Sequence, residues 1–384
     1  MLPSTNDSLT RAIDYANTYR NGHHLYRHTP EVQFHYFFKK EGALYILLPT
    51  YFEHNQLNDL RMRNQSSHIN KHYVGFEPRI QLNLRGWKIE ASKQLTVPTM
   101  TYLLTVRDDS NPLAIYVGNS SLKATDVYSI SAKYSKTVTK HAQNYYGGAS
   151  YQRLHNAVGQ TRLYNTTTGA TTYTPRNING NWTFNATAGY ARCFDAKQQW
   201  SFSADAAYNY NNSADYLQTT QNANNNAHST VHNSTLNGNL AFRYRQKLVA
   251  LSLTTAAKWL QATSSREGFA TINSLDMLFG LTANVNLPWG MAFNTDCTLH
   301  TRGGYADKTM NLHEWIWNAE ITKSLLKKKN LILKLRAYDL LHQRHNIVRT
   351  LNAQARTETW HNTLPNFVIF TLTYRLHVQP KKVD

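Results

Sequence analysis

Cysteine is nearly absent from this chain of 384 residues: Cys193 and Cys297 are the only two. Their spacing matches no metal motif. By strand alternation Cys193 faces with Thr183, Asn185 and Thr187, and Cys297 with Met291, Phe293 and Leu299, so a disulfide between them is not expected. Long hydrophobic runs are also missing. Patches such as Tyr45-Ile46-Leu47-Leu48 fall far short of the ~18 apolar residues a membrane-spanning helix needs. Acidic residues are scarce, 23 Asp and Glu against 41 Lys and Arg, for a net charge of +18. The basic residues are spread along the chain with no recognisable nucleic-acid module, so no nucleic-acid partner is expected. The excess reads instead as loops and turns rich in Lys and Arg.

Chemistry-bearing motifs are equally sparse. No nucleophile elbow, paired catalytic carboxylates or zinc helix is present, so no enzyme activity, catalytic residue or cofactor is expected. Gly147-Gly148 and Gly303-Gly304 lack the strand–loop–helix context of a phosphate cradle and read as bulges or bends. Of the 17 histidines, His23-His24 and His342 with His345 are the tightest groups. Both fall in expected external loops with no Cys or carboxylate at ligand spacing, so no metal site is expected. Met1 to Asp7 has no basic start followed by an apolar run, as a secretory signal would. A barrel lacking an export signal implies a removed signal or a fragment.

What the chain does contain is strict alternation of apolar and polar residues. Trp200-Ser201-Phe202-Ser203-Ala204-Asp205-Ala206-Ala207-Tyr208-Asn209-Tyr210 and Leu236-Asn237-Gly238-Asn239-Leu240-Ala241-Phe242-Arg243-Tyr244-Arg245 are two examples. Each strand then has one apolar and one polar face. With no helical layer evident to cover the apolar faces, lipid is the natural cover. The aromatic content, 24 Tyr and 8 Trp, suits the membrane–water interface, and a mean hydropathy of −0.54 suits strands that are half polar.

The pattern predicts an all-β protein, an antiparallel transmembrane β-barrel of about fifteen strands. They fall at 31–39, 43–54, 72–85, 87–98, 124–137, 142–157, 179–194, 198–212, 230–245, 248–263, 271–287, 289–303, 312–325, 330–341 and 363–377. The barrel domain is 31–378, preceded by a loop segment over 1–30 and followed by a tail over 379–384. Short connections (Lys40-Glu41-Gly42, Gly86, Asp195-Ala196-Lys197, Gln246-Lys247, Pro288, Lys327-Lys328-Lys329) alternate with long ones over 55–71, 99–123, 158–178, 213–229 and 342–362. That sorting matches periplasmic turns and external loops. Asp109 and His345 should therefore be reachable from outside the cell and Lys328 should not. Counting back from the last strand puts residues 1–30 outside and makes the strand count odd. Complete bacterial barrels are even, so strands are expected to be missing upstream.

Alternation puts Trp200, Phe202, Ala204, Ala206, Tyr208, Phe242, Leu251, Leu253, Phe293, Ile321, Phe370 and Leu372 toward lipid. Ser129, Ser131, Asp205, Asn209, Arg243, Lys334, Thr371 and Thr373 point inward. The polar faces also carry Lys133, Arg243, Arg245, Lys258, Lys334, Arg336 and Arg375, the lumen-facing basic candidates. Two readings stay open. One is a lumen suited to anionic ligands or an acidic plug; the other is that these cations have partners on missing strands and a missing plug. No ligand-binding residue can be assigned.

Three places carry a family resemblance. The first is Pro98, then Asp108-Asp109-Ser110-Asn111-Pro112-Leu113 and Gly118-Asn119-Ser120-Ser121-Leu122-Lys123. The second is Asp339-Leu340-Leu341-His342-Gln343. The third is Leu364-Pro365-Asn366-Phe367 with Tyr374-Arg375-Leu376. In this order they resemble the outer membrane protein β-barrel family, and the chain over about 30–378 is similar to the C-terminal barrel of TonB-dependent receptors. The resemblance implies a barrel of about 22 strands, of which about seven are lacking here. It also implies uptake of a scarce ligand and an outer-membrane location. TonB would act only through an N-terminal plug that this chain lacks, so the chain would be inactive alone. Outer-membrane lipid and the barrel-assembly machinery are the implied partners, although Leu376 stands where the machinery usually finds a terminal aromatic. A self-contained passive porin and a non-functional remnant are the alternatives.

Overall fold

The computed structural model describes residues 18–39, 42–61, 66–219, 228–265, 269–326, 330–351, 356–362, 364 and 366–376. Alternating residues extend into strands because each strand can bury its ladder hydrogen bonds against a neighbour. β1 (Tyr19–His28) and β2 (Glu31–Phe38) lie end to end along one edge of β3 (Gly42–Arg61). β4 (Ser66–Phe76) and β5 (Arg79–Leu84) lie end to end along its other edge. After β6 (Trp87–Thr96) a short 3-10 turn leads to β7 (Arg107–Asn111) and β8 (Ala114–Val117). β9 (Thr125–Val138) and β10 (Gln143–His155) precede the hairpin of β11 (Ala157–Tyr164) and β12 (Thr171–Ile178). Then come β13 (Trp182–Cys193), β14 (Trp200–Thr219), β15 (His228–Arg245), β16 (Val249–Ser264), β17 (Ile272–Leu287), β18 (Met291–Gly303), β19 (Leu312–Leu325) and β20 (Leu331–Tyr338). β21 (Ile347–Leu351) and β22 (Arg356–Trp360) form a separate hairpin, and β23 (Phe367–Tyr374) returns to the main sheet.

The wall is an antiparallel meander in the order β2–β3–β5–β6–β9–β10–β13–β14–β15–β16–β17–β18–β19–β20–β23. All fifteen strands anticipated from alternation are in it. Among the described residues β2 and β23 do not pair with each other. With every neighbour antiparallel, these two edges run the same way.

Several boundaries differ from the sequence expectation. Residues 19–28, expected as loop, form β1, because the long β3 offers them a ladder that local alternation does not announce. The strand expected over 72–85 breaks at Glu77-Pro78. Pro30, Pro49 and Pro78 fall on one line across three adjacent strands. Pro30 accepts from the amide of Thr50 (2.9 Å), Pro49 from Glu77 (3.0 Å) and Pro78 from Lys93 (3.0 Å). A proline lacks the N–H that would continue the ladder. Beyond this line β1, the end of β3 and β4 make a separate three-stranded patch. β3 and β14 are 20 residues long, about twice what crosses a bilayer, so strands fill much of the expected loops 55–71 and 213–229. The stretches 99–123, 158–178 and 342–362 likewise contain β7 and β8, β11 and β12, and β21 and β22. The turn Lys327 to Lys329, the residues Lys40 and Glu41 and the tail 379–384 lie outside the described residues.

The turn between β5 and β6 shows why glycine is needed there. Gly86 has φ +88°, and a Cβ would sit 2.6 Å from the Ser135 carbonyl oxygen of β9. Gly118 answers a different demand: a Cβ there would overlap the Leu104 carbonyl, so the 97–123 segment closes on itself only with glycine at that point.

Candidate functional site

Register fixes the two faces of the wall. From Lys133 the ladder runs sideways through Gly148, Thr187, Ala207, Asn237, Lys258, Asp276 and Arg302. Asp205, Asn209 and Arg243 share that face on their own strands. One step over, Ala206, Gly238, Ala257, Met277 and Thr301 run together on the other face. The twelve residues expected toward lipid fall on this second face, and Ser129, Ser131, Thr371 and Thr373 on the first. Cys193 lies opposite Ser201 on the polar face and Cys297 opposite Leu281 on the apolar one, and both are free.

The polar face is cross-linked by side chains. Asn239 donates to Asp205 (2.7 Å), Asn209 to Asn185 and Asn318 to Asp296 (2.6 Å). Toward the far end of β17 to β19 a longer chain forms. Arg302 Nε donates to Asp276 (2.8 Å), whose other oxygen meets His300 Nε2 at 2.7 Å. His300 Nδ1 lies 3.6 Å from Glu314, and Glu314 receives His345 Nδ1 at 2.9 Å. Glu314 thereby ties the segment after β20 to the wall. Among the described residues no group of three or more His, Cys, Asp or Glu is arranged to hold a metal.

The seven basic candidates are dispersed. Lys334 and Arg336 come together on Glu320, at 3.3 and 3.7 Å. For these two, a partner carboxylate thus stands on the neighbouring strand of this chain. Arg336 also stacks over the Tyr338 ring, 4.5 Å from its centroid. Lys133 stands beside Lys88, Lys258 opposite Asp276, Arg243 between Ser201 and Ser252, and Arg245 opposite Ala250. Arg375 lies just past the end of β23, its amide bonded to Asn330 O at 2.8 Å, and joins no cluster.

Alternation did not reveal the region with most burial. On the end of β3, Tyr51, Glu53, Asn55, Leu57 and Asp59 are all 5% exposed or less. Leu57 packs with Met100, Leu103, Leu104 and Leu122 of the 97–123 segment. Glu53 takes a salt bridge from Arg27 (2.6 Å) and hydrogen bonds from Tyr51 and Asn55. Burial, then the Glu53 carboxylate, pushes the Tyr51 phenol up. A cavity of about 190 Å³ beside Asp59 is walled by Tyr19, Tyr102, Asp108, Tyr116 and Tyr173.

Two motifs of the family resemblance are built into this frame. Asn119 accepts from Ser121 N (3.0 Å) and donates to Pro175 O (3.0 Å), while Leu122 enters the buried cluster. Asp339, 2% exposed, accepts the amides of Gln343 and Arg344 at 3.2 and 3.0 Å, and Gln343 in turn receives Trp315 N at 2.8 Å. These are local folding devices: each carboxylate or amide closes a turn and fastens it to the wall.

A groove of about 970 Å³ on the apolar face is lined by small residues including Ala132, Ala149, Ala188, Ala206 and Gly238. It carries no convergent polar chemistry, and in a bilayer acyl chains fill it.

A large antiparallel sheet with one apolar and one polar face defines the wall of an outer-membrane β-barrel. The outer membrane protein beta-barrel family matches residues 52–274, well over half of the chain. The chain belongs to that family, and its family points to the outer membrane. Neither a curated protein nor a solved structure matches it.

Proposed function

We propose that this chain supplies barrel wall to a TonB-dependent outer-membrane receptor that takes up a scarce ligand. The observation that carries the reading is the pair of unmatched edges. β2 and β23 run the same way and, among the described residues, do not pair with each other, so closure by antiparallel neighbours requires an odd number of additional strands. That makes a barrel of sixteen strands or more; at roughly sixteen to eighteen the lumen is an open channel, and at about twenty-two, the size the family resemblance implies, it holds a plug. The basic and amide-rich polar face suits a plug or an anionic ligand. Coupling to TonB enters only through such a plug, and no catalytic step is part of the reading.

The test is to refold the chain alone in detergent. Open edges in lipid leave backbone groups unpaired at several kcal/mol each, so the chain should aggregate, show no compact heat-modifiable band in SDS and give no stable bilayer conductance. A heat-modifiable band with a steady channel would replace this reading by that of a passive porin.

A further inference from the structure

The apolar face of the wall is banded along its strands. Near the periplasmic turns Trp87 packs on Tyr134 and Tyr145 on Tyr190, each pair with ring centroids 5.0 Å apart. Toward the opposite strand ends Tyr151 packs on Trp182 at 5.7 Å and Trp182 on Tyr210 at 4.7 Å. Between the two rows the same face carries Ile89, Ala91, Ile130 and Ala132. Aromatic rings prefer the membrane–water interface. The two rows therefore mark the two surfaces of the bilayer, about 20–26 Å of strand apart at ~3.3 Å per residue.

Charge enters the lipid face at the outer row. Pairing runs from Lys93 through Tyr128, Arg153 and Trp182 to Asn212, straight across β6, β9, β10, β13 and β14. Lys93 and Arg153 thus flank Tyr128, two strand spacings or about 10 Å apart. The Lys93 ammonium lies 5.8 Å from the Tyr128 ring centroid and 2.9 Å from Asp126, whose other oxygen is 3.8 Å from His155. Arg153 is exposed and enters no ion pair among the described residues. One row closer to the membrane centre lies a groove of about 460 Å³ walled by Pro78, Ile80, Ala91, Ile130 and Tyr151. Lys93, Tyr128 and Arg153 form its outer rim, and no Asp or Glu lines it.

A cation that faces lipid is costly unless an anionic group meets it. At the outer surface of the bilayer the anions at hand are lipid phosphates. We propose that this groove seats one phosphorylated lipid of the outer leaflet. Arg153 is the free donor to its headgroup phosphate and Lys93 the second, with Tyr128 between them. An acyl chain lies along Ile80, Ala91 and Ile130. A guanidinium suits phosphate oxygens, and an open apolar groove beneath it suits a chain that a soluble phosphate lacks. The inference rests on the outer-membrane barrel to which the family points. It is independent of the transport reading, because the site faces away from the lumen.

The experiment uses the protein extracted from outer membranes in mild detergent. Calorimetric titrations compare lipid A with dephosphorylated lipid A and with glucose 6-phosphate. The expected result is saturable binding of lipid A, clearly weaker binding of the dephosphorylated lipid and none of the sugar phosphate. Arg153→Gln should weaken lipid A binding about five- to tenfold. Lys93→Gln should weaken it less, because Asp126 already shares that cation. Asp126→Asn frees Lys93 and should tighten binding. Lys136→Gln removes the same charge from the same face at the periplasmic end and should change nothing. Resistance to heat and SDS monitors folding of every variant. A chain absent from outer membranes overturns the barrel and this site with it. In a folded, heat-modifiable protein, equal binding of the two lipids overturns the site alone, as does lipid A binding unchanged by both Arg153→Gln and Lys93→Gln. Sugar phosphate binding as tight as that of lipid A replaces the lipid by a soluble ligand and overturns the proposal.

Discussion

Strand β18 of the wall and the mouth, meaning the patch of β1, the end of β3 and β4 with the 97–123 segment packed on it, follow different rules of burial. Every residue of β18, from Met291 to Gly303, is half-buried, although its apolar and polar side chains alternate. In β3 the chemistry is mixed, yet Tyr51, Glu53, Asn55, Leu57 and Asp59 are buried while their neighbours are not. Alternation of chemistry without alternation of burial marks a strand whose two faces are covered by lipid and water. Alternation of burial marks a strand that protein covers on one side. The wall therefore depends on its surroundings for stability, whereas the mouth has a small core of its own.

The largest effect should come from attacking that core. Leu57→Ala removes the centre of the cluster with Met100, Leu103, Leu104 and Leu122 and should cost about 2–5 kcal/mol locally. Hydrogen exchange should show loss of protection across 97–123 with β16 to β18 unchanged. Equal loss in both regions would mean that mouth and wall are one cooperative unit and the contrast is false.

The wall should respond to charge by face. In the protein reconstituted in lipid vesicles, Ala206→Arg places a cation on the apolar side and should cost about 2–4 kcal/mol near the midplane. Ala207→Arg, one residue on, enters the polar face and should change stability far less. Denaturant unfolding of the two variants decides it. Similar losses at both positions would refute the face assignment.

The same contrast explains how much the sequence disclosed. The meander was legible because a strand between lipid and water must alternate residue by residue. Trp200 to Tyr210 and Leu236 to Arg245 do so without exception at the charged positions. β1 was not legible: Tyr19 to His28 has Leu25 as its one aliphatic residue and no apolar alternation, and its pairing with β3 is a long-range fact. The break at Glu77-Pro78 carried a local signal, a proline inside an otherwise continuous strand, whose line with Pro30 and Pro49 emerges only across strands. Among the basic residues, alternation assigned faces but not partners. Glu320 beside Lys334 and Arg336 depends on register.

The smallest expected effect tests whether the wall's turns hold themselves independently of either face. Between β13 and β14 the Asp195 carboxylate accepts Trp200 N at 2.9 Å and Gln199 N at 3.1 Å. Those backbone donors, Trp200 foremost, hold its carboxyl below the ordinary range. A group whose folded value is depressed contributes above its unfolded value, about 3.9 for Asp, and loses that contribution as pH falls through the folded value. Protection of the Gln199 and Trp200 amides, measured by exchange relative to a short reference peptide, should therefore hold above about pH 4 and decline at lower pH. Asp195→Asn keeps one acceptor but has no charge to titrate, so its protection should be weaker and flat across the same pH range. A decline of the same shape in Asp195→Asn would assign the acid response to another group and leave the turn held by its backbone alone.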